Sequence, residues 1–266
     1  MPISKSAAKL RMLKRLKCSI LFEKLAWESG ARLVAGVDEV GRGSLFGPVV
    51  AAAVILNPEY RIKGLRDSKL LDAATRERLD KRIREHAISI SIAAVDAATI
   101  DRLNIYHASR LAMLHAVCAL APAADHLLID AMRIDHECPQ TKIIYGDAQS
   151  ISIAAASIVA KVYRDAMVRE LDGQFPGFDL ASNKGYRSPK HITALCEHGP
   201  TALHRMSFAP AWSKSVRASL EFMEEMEDLD DAADLTPVSR ARRRAAEWAR
   251  ADARHTELNT RAAAQG

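Results

Sequence analysis

With 266 residues, 48% of them hydrophobic, the chain has material for a full core, one domain of about 200 residues plus appendages. No apolar run of about 18 residues or more is present, which excludes a membrane-spanning helix. The basic N-terminus lacks the apolar core and small-residue cleavage site of a secretory signal. The net charge of +5 favours an anionic partner only mildly. The four cysteines, Cys18, Cys118, Cys138 and Cys196, form no C-x-x-C pair, which argues against structural zinc and fits a reducing, cytoplasmic setting.

Charge is unevenly placed. The first 29 residues carry seven Lys/Arg against two Glu, residues 221–234 are acidic without a base, and residues 240–254 are arginine-rich. Such blocks are appendages rather than core. The expected organisation is a basic N-terminal extension (1–30), a body with C-terminal helices (31–226), and a charged, disordered tail (227–266).

Residues 5–28 have helical composition. "RLVAGVDE" and "PVVAAAVIL" read as strands joined by the turn "VGRGSLFG", an antiparallel hairpin. "DAATRERLDKRIREHA" reads as a helix capped by Asp72. "AISISIAAVD" alternates as a strand should, and residues 97–120 read as a helix broken near Leu103–Asn104. "HLLID" is a short strand ending at Asp130, and "KIIYGD" another ending near Asp147. "QSISIAAASIVAKVYRDAMVREL" is a long helix whose alanines allow close approach to a sheet. Residues 172–190 form a loop, and shorter helices follow to about residue 226. The order is that of an α/β protein with a mixed sheet.

Three apolar strands thus carry an acid near their C-terminal end: Asp38 with Glu39, Asp130, and Asp147. One strand-end Asp is usually a cap or turn residue, but four converging carboxylates would repel one another unless a cation joined them. Mg²⁺ and Mn²⁺ take oxygen ligands, and a pair of such ions can cleave a phosphodiester. Neighbouring strand residues face opposite ways, so Asp38 and Glu39 share a site only if the strand ends or bulges there. In the following turn, Arg42 offers a planar donor and the glycines offer close backbone approach.

The stretches "DEVGRGSLFGPVVAAAVIL", "DSKLL", "LLIDA", "GDAQSISIAAASIVAKVYRD", "NKGYRSPKH" and "HRMSFAP" appear in the order seen in bacterial ribonuclease HII, and the sequence resembles that family from about Val34 to Pro210. The resemblance implies an RNase H-like fold, a mixed five-stranded sheet flanked by helices, with a helical C-terminal extension. It implies Mn²⁺- or Mg²⁺-dependent cleavage of the RNA strand of RNA/DNA hybrids, with incision 5′ of a single ribonucleotide in duplex DNA; nothing in the sequence demands more than a monomer. By motif position it makes Asp38, Glu39, Asp130 and Asp147 the catalytic metal ligands, while Asp165 falls inside the helix as a structural acid. It places Gly41, Arg42 and Gly43 at the ribonucleotide, Tyr186 on the junction sugar, and Lys69 (in the Asp67–Ser68–Lys69 element) and Lys184 at the substrate backbone. Arg187 and Lys190 are further phosphate candidates, and His191 and His204 match family positions, His204 as a structural residue. Where the family commonly shows G-Y-G-T, this chain has G-Y-R-S, which removes the backbone freedom of a glycine at Arg187 and keeps a hydroxyl at Ser188. The alternatives are another two-metal nuclease on the same sheet and a non-catalytic nucleic-acid-binding protein.

Overall fold

The computed structural model describes residues 16–208. The start of the expected N-terminal helix, the helices expected between Phe208 and about residue 226, and the tail 227–266 lie outside the described residues.

Helix α1 (Leu21–Glu28) leads into β1 (Val34–Val40), and β2 (Val49–Ile55) returns antiparallel, with Ala35 opposite Ile55 and Val40 opposite Val50. A 3-10 turn (Ser68–Leu70), α2 (Ala73–His86), β3 (Ser89–Val95), α3 (Ala97–Leu103) and α4 (Ile105–Cys118) follow. Then come β4 (His126–Asp130), β5 (Gln140–Ile143), a second 3-10 turn (Gly146–Ala148), α5 (Ile151–Leu171), α6 (Leu180–Asn183) and α7 (Pro189–His198). The five strands lie in the order β3-β2-β1-β4-β5. β2 runs antiparallel to both β1 and β3; β4 joins β1 and β5 joins β4 in parallel, giving the expected mixed sheet.

Local chemistry sets the boundaries. The Asp72 carboxylate accepts the Thr75 N–H at 2.8 Å and starts α2. Asn104, at φ 66°, breaks the α3–α4 run; Asn tolerates this left-handed backbone, and its side chain caps α4 through the N–H groups of Tyr106 and His107. Ser150 caps α5, and Ser188 with Pro189 opens α7.

β2 is buried over its whole length because both sheet faces are covered. Its residues alternate between two cores. Val49, Ala51 and Ala53 pack with Val37, Ile129 and Met113 of α4; Val50, Ala52 and Val54 pack with α2 and the alanines Ala154, Ala155 and Ala156 of α5. The approach of α5 is close: a Cβ on Gly36 of β1 would stand 2.0 Å from the Ser152 backbone carbon. α1 is tied to the same turn. Glu23, 1% exposed, accepts the Ser150 hydroxyl at 2.6 Å and the Ser152 N–H at 3.0 Å.

Three expectations need correction. β1 does not bulge at the acid doublet; its register runs unbroken through Asp38↔Ala52, Glu39↔Ala51 and Val40↔Val50. β5 ends at Ile143, so Asp147 sits in the following 3-10 turn rather than at a strand end. Arg187 is not among the residues with positive φ, so the backbone there does not need a glycine. All four cysteines are free thiols, and burial pushes Cys18 up to about 12.

Candidate active site

The site lies where β1 outruns its parallel neighbour. The β1–β4 pairing ends at Val37↔Ile129, and the next residues on the two strands are Asp38 and Asp130. Beyond that step β1 has no partner on its β4 side, which lets Asp38 and Glu39, on opposite sheet faces, serve one region without a bulge. The turn after β5 adds Asp147, and the loop before α2 adds Lys69.

Each acid is held by named partners. Asp38 Oδ1 accepts the backbone N–H of Glu39 at 2.8 Å. Glu39 Oε1 accepts from Arg42 Nη1 at 3.3 Å, while its Oε2 is buried without a hydrogen-bond partner. Asp130 Oδ1 accepts the Gly146 N–H at 2.7 Å, which ties the end of β4 to the turn carrying Asp147. Lys69 Nζ lies 3.3 Å from Asp147 Oδ2, on a side chain 78% exposed.

These carboxylates feel one another. Burial first, then Glu39, Asp130 and Asp147, raise Asp38 well above the usual carboxylate range. Burial raises Glu39 to about 7 against the pull of Arg42. Asp130 is raised by burial against the Gly146 N–H. Asp147 is raised to about 6 by burial, with Lys69 opposing and Asp130 adding. Burial disfavours charge on Lys69, but Asp147, Asp38 and Asp67 overcome it and raise the ammonium.

A group of oxygens that resists ionisation together is what a divalent cation stabilises. Among the described residues no three His, Cys, Asp or Glu side chains are already drawn into a metal cage. The chemistry of the donors nonetheless suits a divalent ion. The donors are all carboxylate oxygens, the set Mg²⁺ and Mn²⁺ prefer, and the unpartnered Glu39 Oε2 is a buried acceptor without a donor.

The turn after β1 is fixed from behind by two buried arginines that the sequence patterns do not single out. Arg164 of α5, 0% exposed, donates to Pro48 O (3.1 Å), Lys184 O (3.0 Å), Ser44 Oγ (2.8 Å) and Phe46 O (3.0 Å). Arg205, also 0% exposed, donates to Gly47 O (2.9 Å) and to the carbonyl of Arg42 (3.0 Å). Gly41 is required here: its φ is +88°, and a Cβ would stand 2.2 Å from Arg164 Nε. Two adjacent segments complete the fixation, with Leu45 N–H on Gly185 O at 2.9 Å and Gly47 N–H on Leu203 O at 2.8 Å. The sequence shows only their settings, an arginine after the alanine-rich stretch of α5 and one in "HRMSF", neither of which distinguishes a buried arginine from a surface one.

Tyr186 is half-buried, with Lys161 Nζ and Arg164 Cζ each 5.4 Å from its ring centre. Its carbonyl bonds His191 Nδ1 at 3.0 Å, and His191 Nε2 meets His204 Nε2 at 3.0 Å. Gly43 is exposed in the same turn as Arg42. The Lys184 ammonium bonds the Ala181 carbonyl of α6, the helix that Lys184 ends, and Lys190 pairs with Asp179 at 3.6 Å; neither is bonded to the four site carboxylates. Asp165 pairs with Lys161 at 2.7 Å along α5.

The model of the family Ribonuclease HII matches residues 35–211. The chain belongs to the ribonuclease HII family. A Ribonuclease HII of Koribacter versatilis (strain Ellin345) is 68% identical over 225 residues, 84% of this chain and 89% of that protein. Among solved structures, the ribonuclease H2 from Pyrococcus horikoshii OT3 shares the fold at 23% identity and a TM-score of 0.61, over 72% of this chain and 99% of that one. The Bst-RNase HIII in complex with Mn²⁺ superposes at a TM-score of 0.51 and 21% identity, over 74% of this chain and 73% of that one. As a ribonuclease HII, the chain is a type 2 ribonuclease H, a phosphodiester hydrolase.

Proposed function

We propose that Asp38, Glu39, Asp130 and Asp147 form the metal-binding catalytic centre with which this ribonuclease H cleaves the RNA strand of RNA/DNA hybrids, and that it also incises 5′ of a single ribonucleotide embedded in duplex DNA. The observation that carries the reading is the placement of the acids: Asp38 and Glu39 lie where β1 outruns β4, Asp130 ends β4 and bonds Gly146 beside Asp147, and Glu39 Oε2 is buried and unpartnered. Divalent ions held there would supply an activated water at neutral pH and neutralise charge on the leaving oxygen. Mn²⁺ is the ion bound in the Bst-RNase HIII structure; Mn²⁺ and Mg²⁺ both suit these donors.

The chain's own residues do the rest. Asp38 and Glu39 would hold the ions from β1, Asp130 from β4, and Asp147 from the turn that Gly146 fixes to Asp130. Arg42, whose side chain is 42% exposed, and Lys69 present positive charge to substrate phosphate beside the acids. The backbone of Gly41, Arg42 and Gly43 reads the ribose, whose 2′-hydroxyl alone separates RNA from DNA, and the arginine clamp behind it holds that backbone rigid. Tyr186 packs against the sugar at the RNA–DNA junction. Lys184 supports this loop through its carbonyl bond to Arg164, in addition to any backbone contact. Hydrolysis of the phosphodiester leaves a 3′-hydroxyl on the upstream DNA and a 5′-phosphate on the ribonucleotide. Monomeric, cytoplasmic action on nucleic acid completes the proposal; no helix among the described residues is long and apolar enough to cross a membrane.

A labelled DNA duplex with one ribonucleotide, beside an all-DNA duplex and a continuous hybrid, tests the reading in Mn²⁺, Mg²⁺ and chelator. Metal-dependent incision 5′ of the ribonucleotide, absent on all-DNA, is expected. Cleavage confined to the continuous hybrid would remove the roles given to the Gly41–Gly43 turn and Tyr186.

A further inference from the structure

The loop preceding α2 and the face of α2 beside it enclose a surface cavity of about 450 Å³. Four cations line it, Lys63, Arg66, Arg78 and Arg82, and no carboxylate does. Among the described residues none of the four is in an ion pair, whereas the neighbouring charges of α2 pair with each other, Arg84 with Asp80 and Lys81 with Glu85. Two of the three guanidiniums are oriented by neutral oxygens: Arg78 Nη2 donates to Thr75 Oγ1 at 3.3 Å, and Arg82 Nη2 to the Tyr60 hydroxyl at 3.1 Å. Asp72 feels Arg78, but its oxygens are taken up by the Thr75 N–H and hydroxyl.

Like charges gathered in one concavity repel, and the arrangement favours a partner carrying several negative charges. The loop that lines it also leads into the candidate active site. Lys63 and Arg66 precede Asp67, Ser68 and Lys69 on one loop, and Lys69 Nζ reaches Asp147. We propose that Lys63, Arg66, Arg78 and Arg82 form a phosphate track that holds the sugar–phosphate backbone of the duplex to one side of the cleaved bond. The proposal rests on the reading that this enzyme acts on duplex nucleic acid. The contacts are to backbone rather than bases, because the groove offers charge at the end of flexible side chains and no aromatic plane.

The full-length chain and its Lys63→Gln/Arg66→Gln/Arg78→Gln variant test this. Two assays apply: incision in Mn²⁺ of duplexes of about 10 and about 30 base pairs carrying one ribonucleotide, and binding of all-DNA duplexes of the same lengths by fluorescence anisotropy. Each phosphate-neutralising cation adds about 0.9 to the slope of log K against log[salt], so removing three should lower that slope by about 2–3 on the long duplex. KM for the long duplex should rise about tenfold toward that of the short one, with kcat changed less than about twofold. An Arg66→Lys/Arg78→Lys variant keeps the charge and should keep the salt slope. Equal effects on both lengths, or a fall in kcat, would overturn the proposal by placing these residues in the active site itself. Unchanged or tighter binding by the Gln variant would also overturn it. If the wild type incises neither duplex, the functional reading fails, while the anisotropy result still decides the groove.

Discussion

Glu39 and Arg42 stand three residues apart, 3.3 Å from each other, with one oxygen of the acid paired and the other buried and alone. That asymmetry defines what the residues here do: they hold charge that the fold does not neutralise. Removing one such charge should therefore uncouple activity from stability. Asp38→Asn should lower incision about 10²–10³-fold, the equivalent of several kcal/mol of lost charge stabilisation. It should leave the melting temperature unchanged or higher, because a buried carboxylate repelled by three others is gone. Parallel rates and thermal melts check both. The buried arginines should behave in the opposite way. Arg164→Ala leaves Ser44 Oγ and the Phe46, Pro48 and Lys184 carbonyls without that donor, and should cost about 3–5 kcal/mol in denaturant unfolding. The acids are legible in the sequence because carboxylates after apolar runs are unusual. Arg164 and Arg205 are not, since an arginine in a motif reads as a substrate contact or surface charge until its carbonyl partners are seen.

Among elements, the decisive contact is α5 against β1. Gly36 allows it, and Gly36→Ala should destabilise by about 3 kcal/mol or more, since the added Cβ meets backbone rather than a side chain that can move. Equilibrium unfolding in urea measures this. α1 acts on the same place from outside the matched family region: Glu23 holds Ser150 and Ser152, next to the turn bearing Asp147. Glu23→Ala should speed amide exchange across residues 146–152 while leaving the central β2 protected. The strands and most helix starts are legible, because alternation, Asp and Ser caps and a left-handed Asn are local signals. The end of β5 is not: "KIIYGD" is as apolar as a strand, and only the Asp130 bond to Gly146 N–H shows that the chain has already turned. A bulge at Asp38–Glu39 is likewise not needed, because partner strands end at different heights, which no single strand's sequence reveals.

For the molecule as a whole, the described residues bring three distant segments together, the turn after β1, the loop before α7 and the segment through Arg205, around the buried pair His191–His204. Burial first, then His191, lowers His204 to about 4, and burial lowers His191; the groups against them are Phe46, Phe178, Thr201 and the Tyr186 carbonyl. The unfolded chain, with His near 6.5, thus binds protons that the folded one refuses. This contribution to stability is whole above pH about 6.5 and is lost progressively as pH falls toward about 4. The raised site carboxylates titrate with the opposite sign, gaining stability as pH falls, so the His term is read from a difference: between pH 7 and 4.5 the melting temperature of His204→Gln should rise relative to that of the wild type. The sequence order of motifs carries the family; the way the segments interlock depends on contacts over more than a hundred residues.

The central claim is that the four carboxylates hold divalent ions. Calorimetric titration of Mn²⁺ into the full-length chain and into its Asp38→Asn variant tests it without relying on turnover. The account predicts a binding isotherm for the wild type that is abolished or weakened at least about tenfold in the variant. Indistinguishable isotherms, or no Mn²⁺ binding by the wild type, would contradict it.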